Sequence, residues 1–84
     1  MSLVIRFLPG ESVTIDGINF AVEFDPPSLV RDGHRPTPIH PADEPALPGV
    51  MVRLAPRQNP GYLAIAFDAP RDIPIIRNVS EDVL

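Results

Sequence analysis

The sequence predicts a mainly β domain that ends in a short C-terminal helix. Apolar and polar residues alternate with period two in short runs at both ends of the chain, and Pro-Gly, Asp-Gly and Asn-Pro-Gly steps separate those runs. Twelve prolines and five glycines among 84 residues also leave no stretch suited to a helical bundle.

The elements follow in order. Leu3 to Leu8 is a nearly continuous apolar run, broken by Arg6 and carrying the β-branched Val4 and Ile5, which reads as a first strand. Leu8-Pro9-Gly10-Glu11 reads as a type II turn, with proline presetting the first central position and glycine accepting positive φ at the second. Ser12 to Ile15 alternates, and Asp16-Gly17 is a dipeptide favoured by type I′ hairpin turns. On the return strand Ile18, Phe20, Val22 and Phe24 share one face, with Asn19, Ala21 and Glu23 on the other. Residues 26–60 hold nine of the twelve prolines and read as a proline-rich insertion with polyproline-like character, spaced so as to forbid helix and central strand alike. Within it Val50, Val52 and Leu54 predict one extra strand over 50–55. After the Asn59-Pro60-Gly61 turn, Leu63, Ile65 and Phe67 alternate with Ala64 and Ala66, giving a strand whose alanine face lets something pack closely. Ala69 to Asp72 turns the chain, and Ile73 to Ile76 predicts a last strand held to an edge by Pro74. Asn78 to Glu81 has capping-box spacing for the terminal helix.

Composition bounds the function. One domain spans 1–84, and a chain this short buries a limited core, so a homodimer is expected from size. The absence of cysteine excludes disulfides, thiolate catalysis and cysteine-held metals. No apolar run reaches membrane length, so the expectation is a cytoplasmic protein with no membrane partner. Neither a nucleophile elbow nor a phosphate-cradling glycine loop is present, and the expectation is no enzyme and no cofactor. Seven arginines, no lysine and eleven acids give a net charge of −4. The charge is uneven: residues 26–60 carry four arginines against three acids, whereas the remainder carries three arginines against eight acids.

Gly10-Glu11-Ser12-Val13-Thr14-Ile15, followed by an acidic turn and an alternating strand, and Ala69-Pro70-Arg71-Asp72-Ile73-Pro74-Ile75-Ile76-Arg77 together resemble the carbon storage regulator family. These are small bacterial RNA-binding translational regulators. The likeness covers residues 3–24 and 62–83, and each motif stands in the family's order. It implies a five-stranded fold with a short helix, assembled as an intertwined homodimer in which the first strand of one chain lies beside the fifth strand of the other. It also implies that unpaired GGA in messenger or small regulatory RNA is read by Arg77 together with Arg6, Val4 and Ile5 of the first strand. The positions that are basic in the family's first strand are Phe7 and Leu8 here, and Arg6 stands where threonine is usual.

Each candidate has a plainer reading beside it. Arg77 is either the RNA-contacting arginine or a surface partner of Asp72 or Glu81, and Arg6 is either a ligand contact or edge solvation. Phe7 reads as core or dimer interface ahead of a stacking platform. Arg31 and Arg35, with Arg53 and Arg57, form the local excess of positive charge, either an auxiliary RNA-facing loop or a solvated one, and Arg71 joins the auxiliary set. His34 and His40 near Asp32, Asp43 and Glu44 have the residue types of a metal site without its spacing, and no metal is expected. The alternative to RNA binding is a paralogue that keeps the dimer fold and acts as a protein-interaction or heterodimerising module, with residues 26–60 as the surface for a protein partner.

Overall fold

In the computed structural model, which describes residues 2–79, the alternating runs pair into nine strands. They are β1 (Ser2–Phe7), β2 (Ser12–Ile15), β3 (Ile18–Phe24), β4 (Pro27–Val30), β5 (Thr37–Pro38), β6 (Glu44–Leu47), β7 (Val50–Leu54), β8 (Leu63–Asp68) and β9 (Ile75–Asn78). One antiparallel sheet has the order β1-β8-β7-β6 and a second has the order β5-β4-β3-β2-β9. The protein is therefore mainly β, with no helix among the described residues.

The period-two pattern explains how the sheets stack. Val13 and Ile15 of β2, Phe20 and Val22 of β3 and Leu29 of β4 meet Phe7, Val50, Val52, Ile65 and Phe67 of the first sheet in one hydrophobic cluster. Burying each such side chain contributes roughly 1.5–3 kcal/mol. At its centre Phe7 and Phe67 pack edge to face, with ring centroids 6.3 Å apart and an interplanar angle of 67°. Phe7 is fully buried, in keeping with its reading as core.

Turn chemistry sets the register. Glu11 N–H donates to Leu8 O at 3.1 Å with Gly10 at φ +88°, as the Pro-Gly step predicts. The buried Glu11 carboxylate closes the same turn from the other side, Oε1 accepting from Leu8 N–H at 2.7 Å. Asp16 and Gly17 both take positive φ, the requirement of a type I′ turn, and Ile15 pairs directly with Ile18.

The proline-rich segment departs from expectation. It is no excursion with a single added strand: β4, β5, β6 and β7 all come from it, two in each sheet, and Leu29, Ile39, Val50 and Val52 enter the core. The exclusion of central strands fails because the prolines avoid the interior ladder. Pro27 is the first residue of β4, Pro38 and Pro45 lie on the edge strands β5 and β6, and the interior stretches Ser28–Val30 and Val50–Leu54 contain none. Nine strands thus replace the expected five plus one.

The last strand also shifts. It runs from Ile75 to Asn78, leaving Pro74, which has no N–H to give a ladder, just outside, where its carbonyl accepts from Asp16 N–H at 3.0 Å. Asn78, expected to cap a helix, is the last residue of β9. The predicted helix falls on residues beyond 79, outside those described. Within the single chain β1 pairs with β8, and β9 pairs with β2. Among the described residues no helix is long and apolar enough to cross a membrane.

Candidate functional site

The topology leaves β1 at an edge of the first sheet and β9 at an edge of the second, and one side chain joins these edges. Ile75 pairs with Ile15 and Arg77 with Val13, so both lie in the inward row of the second sheet. An arginine there would be trapped on an interior strand. On the edge strand its long stem escapes, and Arg77 Nη1 donates to Arg6 O at 3.0 Å across 71 residues of sequence. The predicted alternative, a pair with Asp72, is not formed. Glu81 lies outside the described residues.

The outer face of the first sheet carries the other half of the site. Val4 pairs with Ala66, which pairs with Arg53, and Arg6 pairs with Ala64, whose carbonyl accepts from Ala55 N–H at 3.1 Å. Arginines from β1 and β7 therefore flank a two-alanine strip on β8. Ala64 and Ala66 are almost fully buried, in accord with the reading of this strip as a close-packed surface. Beyond Ala55, past the end of β7, the chain is held to β8 by Gln58. Its Nε2 donates to Ala55 O and Ala64 O, both at 2.8 Å, and its Oε1 accepts from Ala64 N–H at 2.9 Å. The side-chain amide thus occupies the place of a neighbouring strand's backbone. The Gln58 loop borders an open hollow of ≈ 390 Å³ lined by Val4, Arg6, Ala55, Pro56 and Arg57.

Charge pairing separates the arginines. Arg53 Nη1 lies 3.5 Å from Asp43 Oδ1. Among the described residues Arg6, Arg57 and Arg77 have no carboxylate partner. All three are exposed, and apart from Arg77 Nη1 their guanidinium donors are available to an anion or a base edge.

The predicted site residues divide accordingly. Val4, half exposed, and Arg6 share the outer face of β1, and Arg77 reaches the same strand through the Arg6 carbonyl. Ile5 does not join them: alternation along β1 turns it inward, where it packs against the core. Arg31 and Arg35 belong to the β4–β5 connection of the second sheet, and Arg31 borders a separate hollow with Ile18, Asn19 and Ala21. Arg71 is exposed in the β8–β9 turn. Arg57 counted in the sequence only as part of a charge excess, and Gln58 gave no signal, because a side chain that mimics a strand backbone leaves no periodic trace.

His40 holds no metal cluster together. Its Nε2 lies 2.8 Å from Glu44 Oε1, and its Nδ1 lies 3.3 Å from Ala42 N. Among the described residues no group of three or more His, Asp or Glu side chains is placed to hold a metal ion. The chain matches no protein-family model, no curated protein and no solved structure.

Proposed function

We propose that the protein is an RNA-binding post-transcriptional regulator of the carbon storage regulator kind, acting as a homodimer on GGA-containing message leaders to modulate translation or message stability. The observation that carries the reading is the seam between β1 and β9. There the Arg77 guanidinium reaches the backbone carbonyl of Arg6, and neither arginine has a carboxylate partner among the described residues. Unpaired loop bases suit such an edge, since their hydrogen-bonding faces are exposed and a guanidinium fork fits a guanine edge or a phosphate. In the homodimer, each subunit would present its own β1–β9 seam, since Arg77 reaches β1 within one chain.

The net charge of −4 constrains the energetics. Long-range attraction to RNA is unfavourable, so binding rests on a few close contacts. For single strands the salt slope is about −0.7 per neutralised phosphate, so two or three arginines give a slope of only about −1.4 to −2.1. A second reading, a protein-interaction or heterodimerising module, draws support from a hollow of ≈ 310 Å³ on the second sheet. It is walled by Pro26, Pro27, Pro36 and Pro38 beside Glu23 and Asp25.

The test is a titration of the purified protein with an RNA hairpin displaying GGA in its loop, at low and moderate salt, alongside Arg77→Ala and a CCA loop. The proposal expects saturable binding that weakens about tenfold for either change, within the discrimination of one bidentate arginine. Absence of binding at micromolar protein in low salt overturns it and leaves the second reading. Binding that ignores the loop sequence reduces it to phosphate attraction.

A further inference from the structure

We infer that the hollow between β1 and the Gln58-braced loop is a ribonucleotide subsite in which Arg6 and Arg57 hold the phosphate and Val4, Ala55 and Pro56 form the wall for the base. This deepens the RNA reading with a residue that the family likeness does not reach, since Arg57 comes from the proline-rich segment.

The first is chemistry. Two arginines line one open hollow, and neither has a carboxylate partner among the described residues. Guanidinium groups bind phosphate oxygens in a planar, often bidentate fork. The remaining wall is aliphatic, which suits the face of a base and offers nothing to a metal ion or a second cation.

The second is size. At ≈ 390 Å³ the hollow lies at the small end of the range of about 300–1,000 Å³ typical of small-ligand sites, so it fits one nucleotide unit better than an extended ligand.

The third is preorganisation. Arg57 immediately precedes Gln58, whose side chain makes three hydrogen bonds of 2.8–2.9 Å to the backbone of Ala55 and Ala64. The backbone carrying Arg57 is thereby anchored to the central strand β8, and Arg6 stands on β1, which pairs with β8 along its whole length. Neither arginine hangs from a free loop, so less ordering entropy is lost on binding. Arg53, by comparison, is already engaged by Asp43.

The shared ligand chemistry is a ribonucleotide 5′-phosphate, free or within a strand. The experiment follows backbone and arginine NMR signals of the intact protein during titration with guanosine monophosphate, with guanosine, and with the GGA hairpin, and repeats each with Arg57→Gln. Arg57 is exposed, so the variant keeps the fold, which its spectrum verifies. Guanosine monophosphate should shift Val4, Arg6, Ala55 and Arg57 saturably, and Arg57→Gln should weaken it about tenfold, as for the loss of one charge-assisted hydrogen bond. Equal binding of guanosine, an unaffected Arg57→Gln, or no saturable shift at millimolar nucleotide overturns the inference. Hairpin binding with residues 55–57 silent overturns this subsite and leaves the regulator reading intact. Nucleotide binding without hairpin binding keeps the subsite and overturns the regulator reading.

Discussion

Asn78, on the outer face of the second sheet, and Arg57, above the outer face of the first, are both polar residues held near a strand end, yet they use their donors in opposite ways. Asn78 Nδ2 lies 3.1 Å from Ser12 Oγ, 2.8 Å from Thr14 Oγ1 and 3.2 Å from Asn19 Oδ1. Two hydrogens there face three acceptors, all supplied by the protein itself. Arg57 carries five N–H donors, and no carboxylate among the described residues engages it. A polar face that closes its hydrogen bonds internally adds stability and has little left for a ligand. A face that leaves guanidinium groups in water contributes little to folding and keeps its donors for something else.

The largest test of that comparison attacks what the two faces share. Phe67 is fully buried between the sheets and packs on Phe7. Phe67→Ala should cost about 3–5 kcal/mol, a large part of the roughly 5–15 kcal/mol that a small domain possesses. Urea unfolding followed by circular dichroism measures it, and the Asn78 network and the Arg57 hollow should be lost in one transition. Two separate transitions would mean that the sheets do not rest on a common core.

Gln58→Ala is the next largest and separates support from ligand contact. It leaves Ala64 N–H without its side-chain acceptor in a nearly solvent-free strand. The expected cost is about 1–3 kcal/mol by the same unfolding assay. Nucleotide affinity should also fall, although Gln58 does not line the hollow. Gln58→Glu keeps an acceptor for Ala64 N–H but sets a carboxylate oxygen against the Ala55 and Ala64 carbonyls, so it should cost at least as much as alanine.

The contrast between the faces also marks where the sequence could be read and where it could not. Ser12 to Phe24 was legible almost residue by residue, because Asp16-Gly17 specifies its turn and Phe20 and Val22 show which side is buried. Local chemistry also announced β8 and the alanine strip that separates Arg6 from Arg53. Residues 26–60 are less legible, since proline density is a property of the whole segment. Whether a proline disrupts a sheet depends on which strand is interior, and only tertiary pairing decides that. For the site, the resemblance points to Arg6 and Arg77, but the bond from the Arg77 guanidinium to the Arg6 carbonyl follows from β1 and β9 being edges of different sheets. Arg57 needed still more, a loop anchored by a side chain that takes the place of a strand.

Asn78→Ala gives the smallest effect and the sharpest separation. Its amide bridges β9, β2 and β3 at the partly exposed rim of the second sheet, so water can replace part of what is lost. A cost of about 0.5–1.5 kcal/mol is expected, the net worth of an ordinary hydrogen bond. Nucleotide binding in the hollow should stay at the wild-type level, because the substitution touches neither Arg6 nor Arg57. Arg57→Gln should do the reverse, leaving the unfolding midpoint in place while weakening the nucleotide. Measured together, the two variants form a crossed pair. If Asn78→Ala also weakened the nucleotide, the second sheet would be energetically coupled to the ligand, and the division between a face that stabilises and a face that binds would no longer hold.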